Sequence, residues 1–347
     1  MDNAMLVLRP AAPDDVDRLV ELVKGAGVGM TNLPPDRDTL SERIARSKVT
    51  MAGETDGSGD DVYLLVLENR ADGDIVGTSG IYARIGLEKP FYSYKIHVLT
   101  QVSRGLDLTV TSRLLQLVND FTGCSEVGML YLHPRYRRNG NGRMLAMSRY
   151  LLMAEFRQRF TELVIAELRG WLDDDGNSPF WDHLGRHFFE LPFPHADYIS
   201  ATSNNQFIAD LMPKYPIYVD LLPGVAREVI GKPHDDTRPA LALLEREGFR
   251  FEGYIDIFDG GPTVQARVGD IRTVQNSRPA NIAAITETDA EGAQGALVSN
   301  ARLPDFRVCR SRLTVADDGG VTLAGAAAEA LGLGVGDRVR YVPLETG

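Results

Sequence analysis

The stretch Leu130–Leu145, LYLHPRYRRNGNGRML, limits what this chain can become more than any other. An apolar run suited to a buried strand passes directly into Arg137-Arg138-Asn139-Gly140-Asn141-Gly142, and helical spacing resumes near Arg143. Gly140 and Gly142 carry no Cβ, so successive amide groups can close around a phosphate. The following helix brings first-turn amides and the positive end of its dipole to the same place. Arg135, Arg137, Arg138, Arg143 and Arg149 fall between Val127 and Ala154, a window without Asp or Glu. In a chain of formal net charge −11 an anionic ligand is repelled globally and must be captured by such a local cluster. A Gly-rich turn with a solvated basic face would use the same residues. Strand, basic loop and helix in this order favour the anion site. A dinucleotide loop fits less well, because no Gly-x-Gly-x-x-Gly forms at Gly140 and the first strand lacks the motif.

The acidic balance also argues against nucleic acid as a partner. At 347 residues there is room for one large domain or two ordinary ones, and 44% hydrophobic with 24% charged residues is a globular balance. No apolar run approaches the roughly 20 residues of a membrane span. The opening MDNAMLVLRP has neither basic leader nor cleavage site, so a cytoplasmic protein without membrane contact is expected. Cys124 and Cys309 are the two cysteines, which fits a reducing compartment and no cysteine-rich metal site.

Along the chain, LVLRP reads as a strand, and Asp14 as the cap of a helix carrying Val16, Leu19, Val20 and Val23. GAGVGMTNLPP is a loop, Thr39 to Lys48 a helix, and AGETDGSGDD a polar excursion. YLLVLE and DIVGTSGIYA form two strands about a turn at Ala71–Asp74. EVGMLYLHP is a strand, RMLAMSRYLLMAEFRQRF a helix with Leu145, Leu152, Phe156 and Phe160 on one face, and LVIAELRG a strand. PFWDHLGRHFF and ALALLEREGFRF share one shape, a short helix closing at Gly before an aromatic strand start, which hints at an internal repeat. From about Ser277 the tail alternates as a small β-rich extension. Residues 1–200, 201–276 and 277–347 are the expected divisions, the middle one a second half of the substrate site.

The spacing Arg-x-x-Gly-x-Gly is similar to the acyl-CoA loop of the GNAT acyltransferase superfamily. LVLRPAAPDDVDRLVELV resembles that superfamily's first strand and helix, and DGDIVGTSGIYA its third strand. The resemblance implies an α/β, GNAT-like acyl-CoA N-acyltransferase fold, with a mixed central sheet and the β-rich C-terminal extension. GMTNLPPDRDTLSERI, FYSYKI, NDFTGCSE, AELRG, SPFWDHLGRHFF, ADLMPKYPIY, VIGKPH and GYIDIFDGGPT together resemble the arginine N-succinyltransferase family, from Met5 to about Thr263. His97 and Gly105–Asp107 depart from its pattern.

That family resemblance implies succinyl transfer from succinyl-CoA to the α-amine of L-arginine, in arginine catabolism. Ornithine stays open as an acceptor, since relatives include paired subunits that use both. Succinyl-CoA is then a co-substrate, with no permanently bound cofactor or metal, and the assembly a homodimer or a paired-subunit oligomer. Leu130 matches a position assigned to succinyl-CoA binding and His234 the assigned proton donor. Physically, a splayed strand can offer a backbone N–H near Leu130 to the thioester carbonyl, while the leucine side chain packs. Asp235 and Asp236 are expected to raise the pKa of His234. Without the resemblance it would read as a surface histidine beside acids.

A guanidinium requires carboxylates and a succinyl carboxylate requires basic or hydroxyl groups. Glu126, Glu167, Asp256 and Asp259 are candidates for the first and Arg169 for the second. His183 and His187 have i, i+4 spacing without an evident third metal ligand, and His133 shapes the start of the phosphate loop. Cys124 reads as a buried small residue. Two rival functions use the same features: an acetyl-CoA-dependent acetyltransferase of another amine, and a non-catalytic acyl-CoA or amino-acid sensor whose tail resembles small β-barrels of transcription regulators.

Overall fold

In the computed structural model, which describes residues 5–25, 33–55, 59, 61–202, 205–287, 290 and 292–344, the strands join edge to edge in one mixed sheet. The first ten are β1 (Leu6–Pro10), β2 (Val62–Asn69), β3 (Ile75–Tyr82), β4 (Ser93–Ser103), β5 (Leu108–Val118), β6 (Ser125–Leu132), β7 (Leu163–Glu167), β8 (Ile217–Tyr218), β9 (Arg250–Ile255) and β10 (Pro262–Arg267). They lie in the order β1-β2-β3-β6-β7-β10-β9-β4-β5-β8, antiparallel throughout except for β6 beside β7. Strands from 1–200 and from 201–276 thus share this sheet.

β2 is apolar on both faces because both are covered. Val62, Leu64 and Val66 meet Leu19, Val23, Leu40 and Ile44 of α1 (Val16–Lys24) and α2 (Arg37–Met51). Leu65 and Leu67, one residue out of phase, meet Leu145 and Leu152 of α3 (Asn141–Glu155).

Several boundaries differ from expectation. Asp15, not Asp14, fixes the start of α1: its buried carboxylate accepts from the Ala12 amide at 2.7 Å and pairs with Arg9 at 2.6 Å. α2 starts at Arg37, where Asp36 accepts from the Thr39 amide at 2.8 Å. α3 begins at Asn141 and stops at Glu155, leaving Phe156 and Phe160 beyond it, and it is buried all round from Met144 to Met153. PFWDHLGRHFF makes two short helices, Pro179–His183 and Arg186–Phe189, with no strand after them. ALALLEREGFRF behaves as read: the helix Arg238–Glu247 closes on Gly248 at φ 105° and β9 follows. The likeness of the two segments therefore stops at sequence. GAGVGMTNLPP and AGETDGSGDD lie partly outside the described residues.

The tail alternates because it closes on itself. β11 (Arg278–Thr286), β12 (Gln294–Ser299), β13 (Val308–Val315), β14 (Val321–Ala324) and β15 (Arg338–Pro343) run β12-β15-β11-β14-β13, and β12 also pairs with β13. This five-stranded barrel packs Val298, Leu313, Leu323 and Val339 against Ala327 and Leu331 of the helix Gly325–Leu331. β13 pairs with β1, and Arg338 and Arg340 reach Glu155 at the end of α3 at 2.8 and 2.7 Å. No described helix is long and apolar enough to cross a membrane.

Candidate active site

The site begins where two parallel strands part. β6 and β7 pair only at Ser125↔Val164 and Glu126↔Ile165, and then diverge. β6 is bulged just beyond: β3 pairs Thr78 with Tyr131 and Gly80 with Gly128, so Met129 and Leu130 face one residue, and Met129 sits at φ 54°. Gly80 makes room for the bulge, since a Cβ there would lie 2.2 Å from Met129 Cε. Gly128, Met129 and Leu130 of the bulge line the gap beside β7.

Into that gap opens a cavity of about 330 Å³ that gathers Leu130, Glu126, Glu167, Arg169, Asp256 and Asp259. Leu130 is half-buried and packs on the main core. Two further polar walls were not singled out from sequence, Asp197 on the helix Phe193–Thr202 and Thr237, and a third is the buried side chain of Arg149, which the sequence reading had grouped with the basic phosphate cluster. Nothing local marks Asp197. Arg149, however, stands four residues after Leu145 and three before Leu152, on the apolar side of α3, and does not join the phosphate loop's basic face.

Burial raises the pKa of all five carboxylates. Burial pushes Glu126 up to about 7, partly opposed by Arg43. Glu167 rises well above the ordinary range through burial and the charges of Asp256, Glu126 and Asp259. Asp197 is pushed up to about 7 by burial and Asp256, with Arg169 pulling it back. Asp256 is raised chiefly by burial, although its Oδ1 accepts from the Phe258 and Asp259 amides at 2.7 and 2.8 Å. Asp259 is raised well above its usual value by burial and Asp256; it braces the cleft floor by accepting from the Gly170 and Gly261 amides at 2.6 and 2.8 Å. Opposite them the buried Arg169 Nε has no hydrogen-bond partner, and burial lowers that guanidinium's pKa. Such a cavity suits a ligand carrying both a cation and a carboxylate.

The phosphate-type loop lies at the mouth of α3. Asn139 and Gly140 are both left-handed, at φ 52° and 68°, and the Arg137, Arg138 and Asn141 amides donate within the turn to the Pro134, Tyr136 and Arg138 carbonyls. Arg137 is anchored rather than free: its Nε donates to the Leu132 carbonyl at 2.9 Å and its guanidinium lies over the Tyr131 ring. Asn141 caps inward, donating to the Tyr136 carbonyl at 3.1 Å, whereas Arg138 is exposed. At Gly142 a Cβ would meet nothing nearer than Leu132 Cδ2 at 4.0 Å, so a side chain there would have room. The barrel supplies a residue that sequence reading missed. Arg310 of β13 donates to the Asn139 carbonyl, its Nη2 sits 3.1 Å from where a Gly140 Cβ would be, and its buried Nε has no partner. The loop itself does not line the cavity.

His234 does not itself line the cavity and is tied to it through Arg169 and Thr237, which do. Its amide donates to the Arg169 carbonyl at 2.8 Å, Gly170 bridges Pro233, and the Thr237 hydroxyl donates to the His234 carbonyl at 2.9 Å. Its pKa is lowered, contrary to the expectation from its acidic neighbours. Burial and the Arg169 charge outweigh Asp236 and Asp235, whose side chains are mostly in water. Nδ1 accepts from the Asp236 amide at 3.2 Å, so the neutral ring carries its proton on Nε2.

His183 and His187 fall on separate short helices, not one face. His133 accepts from the Arg135 amide at 3.3 Å at the loop's start. Burial raises the thiol pKa of Cys124, which is half-buried, and that of Cys309 to about 12. His97 and Gly105–Asp107 lie on the exposed β4–β5 hairpin and do not line the cavity. Among the described residues no group of three or more His, Cys, Asp and Glu is disposed to hold a metal ion.

Residues 6–273 match the family described as arginine N-succinyltransferase beta subunit, and residues 278–343 its C-terminal domain. Arginine N-succinyltransferases of Yersinia pestis and Escherichia coli are 42% and 41% identical over 346 and 344 residues, in each case 98% of both chains. The solved arginine/ornithine succinyltransferase subunit AI of Pseudomonas aeruginosa superposes with a TM-score of 0.89 at 36% identity, covering 99% of this chain and 100% of that one.

Proposed function

The chain belongs to the arginine N-succinyltransferase family, and from that premise we propose that it moves the succinyl group of succinyl-CoA to the α-amine of L-arginine, with ornithine as a possible second acceptor. The carrying observation is the cleft at the β6–β7 splay, where buried carboxylates face Arg169. The acids Glu126, Glu167 and Asp256 suit the guanidinium, and the unpaired Arg169 Nε suits the amino acid's carboxylate. The loop Arg137–Gly142, with Arg310 over it, suits the phosphates of the acyl donor.

The α-ammonium first gives up a proton, and the free amine attacks the thioester carbon. Backbone N–H groups at the Met129–Leu130 bulge support the oxyanion as it forms. On collapse the C–S bond breaks, and the CoA thiolate takes a proton as the amide is released. The ammonium's proton leaves to water; His234, neutral at neutral pH, takes the second proton from the nitrogen of the tetrahedral intermediate and gives it to the departing sulfur, which reconciles a depressed pKa with a donor's role. Transfer is direct, without an acyl-enzyme. The same reading places the enzyme in the cytoplasm as a homodimer or with a paired subunit. The β4–β5 hairpin supports assembly, since Val98, Val102 and Leu106 are 68%, 68% and 76% exposed.

His234→Ala tests the proton path. Its kcat should fall by about 10²–10⁴-fold with the KM for succinyl-CoA little changed. The acid-side limb of the kcat profile should disappear with the imidazole. A variant with parental kcat and an unchanged profile removes His234 from the chemistry, and an amine panel read by mass spectrometry settles the acceptor.

A further inference from the structure

Arg149 lies midway along α3 and is 2% exposed. Its Nε donates to the Ala146 carbonyl at 3.2 Å, its Nη1 to the Gly128 carbonyl at 3.5 Å, and its guanidinium carbon is 5.6 Å from the centre of the Tyr150 ring. Among the described residues no carboxylate comes within ion-pair distance of it. A guanidinium offers five N–H donors, and here two long contacts to neutral carbonyls are made. Buried cations without counter-charge are rare because nothing repays their lost hydration.

Its surroundings indicate what is missing. Arg149 lines the same cavity as the acids, but on the wall built by Val127–Leu130, behind the bulge. Glu247 is the acid whose charge reaches it, while Asp259, Asp236 and Asp197 act on Arg169 instead. Within one cavity, then, several acids act on Arg169, whereas Arg149 has only one carboxylate charge, that of Glu247, acting on it and no described carboxylate paired with it. A thioester carbonyl set against the Met129–Leu130 backbone leaves its acyl chain beside the Gly128 carbonyl that Arg149 touches.

We propose that Arg149 receives the distal carboxylate of the acyl group and so selects a dicarboxylic acyl donor over a neutral one. The proposal rests on the acyl-transfer reading above and adds the residue that makes the donor succinyl.

The test compares succinyl-CoA with butyryl-CoA, which has the same chain length without the charge, and with acetyl-CoA, using arginine as acceptor. The unaltered enzyme should prefer succinyl-CoA to butyryl-CoA by about 10²-fold or more in kcat/KM, since a buried donor left unpaired is heavily penalised. Arg149→Gln and Arg149→Lys should lower kcat/KM for succinyl-CoA by about 10²-fold while leaving acetyl-CoA turnover and the Kd for free CoA within a few-fold of the parent. Equal losses with all three donors would make Arg149 a packing residue and overturn the proposal. So would a parent enzyme that does not separate succinyl from butyryl, a result that needs no variant to fold. A parent inactive with every donor and arginine would instead overturn the acyl-transfer reading.

Discussion

Arginine binding should tighten steeply as pH rises through 7. Glu126 and Asp197 are both pushed up to about 7, so near pH 6 the empty cleft holds protons that a guanidinium must displace. For one carboxylate of pKa about 7 that ionises on binding, the apparent Kd changes by a factor of one plus the protonation ratio. That factor is about 11 at pH 6 and about 1.1 at pH 8, an overall tenfold, or about 100-fold if both groups take part. Calorimetry in buffers of different ionisation enthalpy measures the Kd and counts the protons released. Glu126→Gln should remove one tenfold step and leave a weaker, flatter affinity. Stability must move the other way. A carboxyl raised from 4.5 to about 7 in the folded state stabilises it while protonated, and that stabilisation is lost as pH climbs through this window. For the buried Glu126 this amounts to roughly 3 kcal/mol. The ligand-free enzyme should therefore melt lower at pH 8 than at pH 5, less so in Glu126→Gln, with arginine restoring much of the difference. A Kd unchanged between pH 6 and 8, or the same slope in the Gln variant, would refute the cation-site argument.

Gly142→Val should fold normally, because its Cβ has open space, yet raise the KM for succinyl-CoA by about tenfold or more by crowding the phosphates' approach to the loop. Succinyl-pantetheine, which lacks those phosphates, should be used as before, and equal KM values for both would displace the loop assignment. Arg138→Ala should weaken CoA binding by an amount that shrinks with added salt, read by titration at several ionic strengths. Cys124→Ala and Cys309→Ala should both retain turnover, the buried Cys309 losing about 1–2 kcal/mol of stability to a small cavity. A succinyl adduct on either cysteine in the parent's intact mass would overturn direct transfer. Val98→Glu on the hairpin should lower the mass seen by sedimentation while shifting monomer stability by no more than about 0.5 kcal/mol, and a parent that is already monomeric removes that surface from assembly.

What the sequence determined by itself was local. The order strand, basic glycine loop, helix is a property of Leu130–Leu145 alone, and the chain folds it as read, with two left-handed residues at the loop. The apolar β2 and β3 and the alternating tail were likewise legible, because burial on one or two faces imposes its own period. The tail's closure into a barrel, and Arg310 leaning over the phosphate loop, depend on which strands find each other and left no mark in the sequence. The same is true of Asp197, which nothing in its own helix distinguishes until Glu126, Glu167 and the turn holding Asp256 and Asp259 arrive from three other places. His234 shows the reason most directly. Its chain neighbours Asp235 and Asp236 promised a raised pKa, but they face water, which screens them. Arg169, distant in sequence and brought close by a backbone hydrogen bond, acts together with burial to lower it. Charges act through the medium between them, and only the tertiary structure decides where that medium is water and where it is protein.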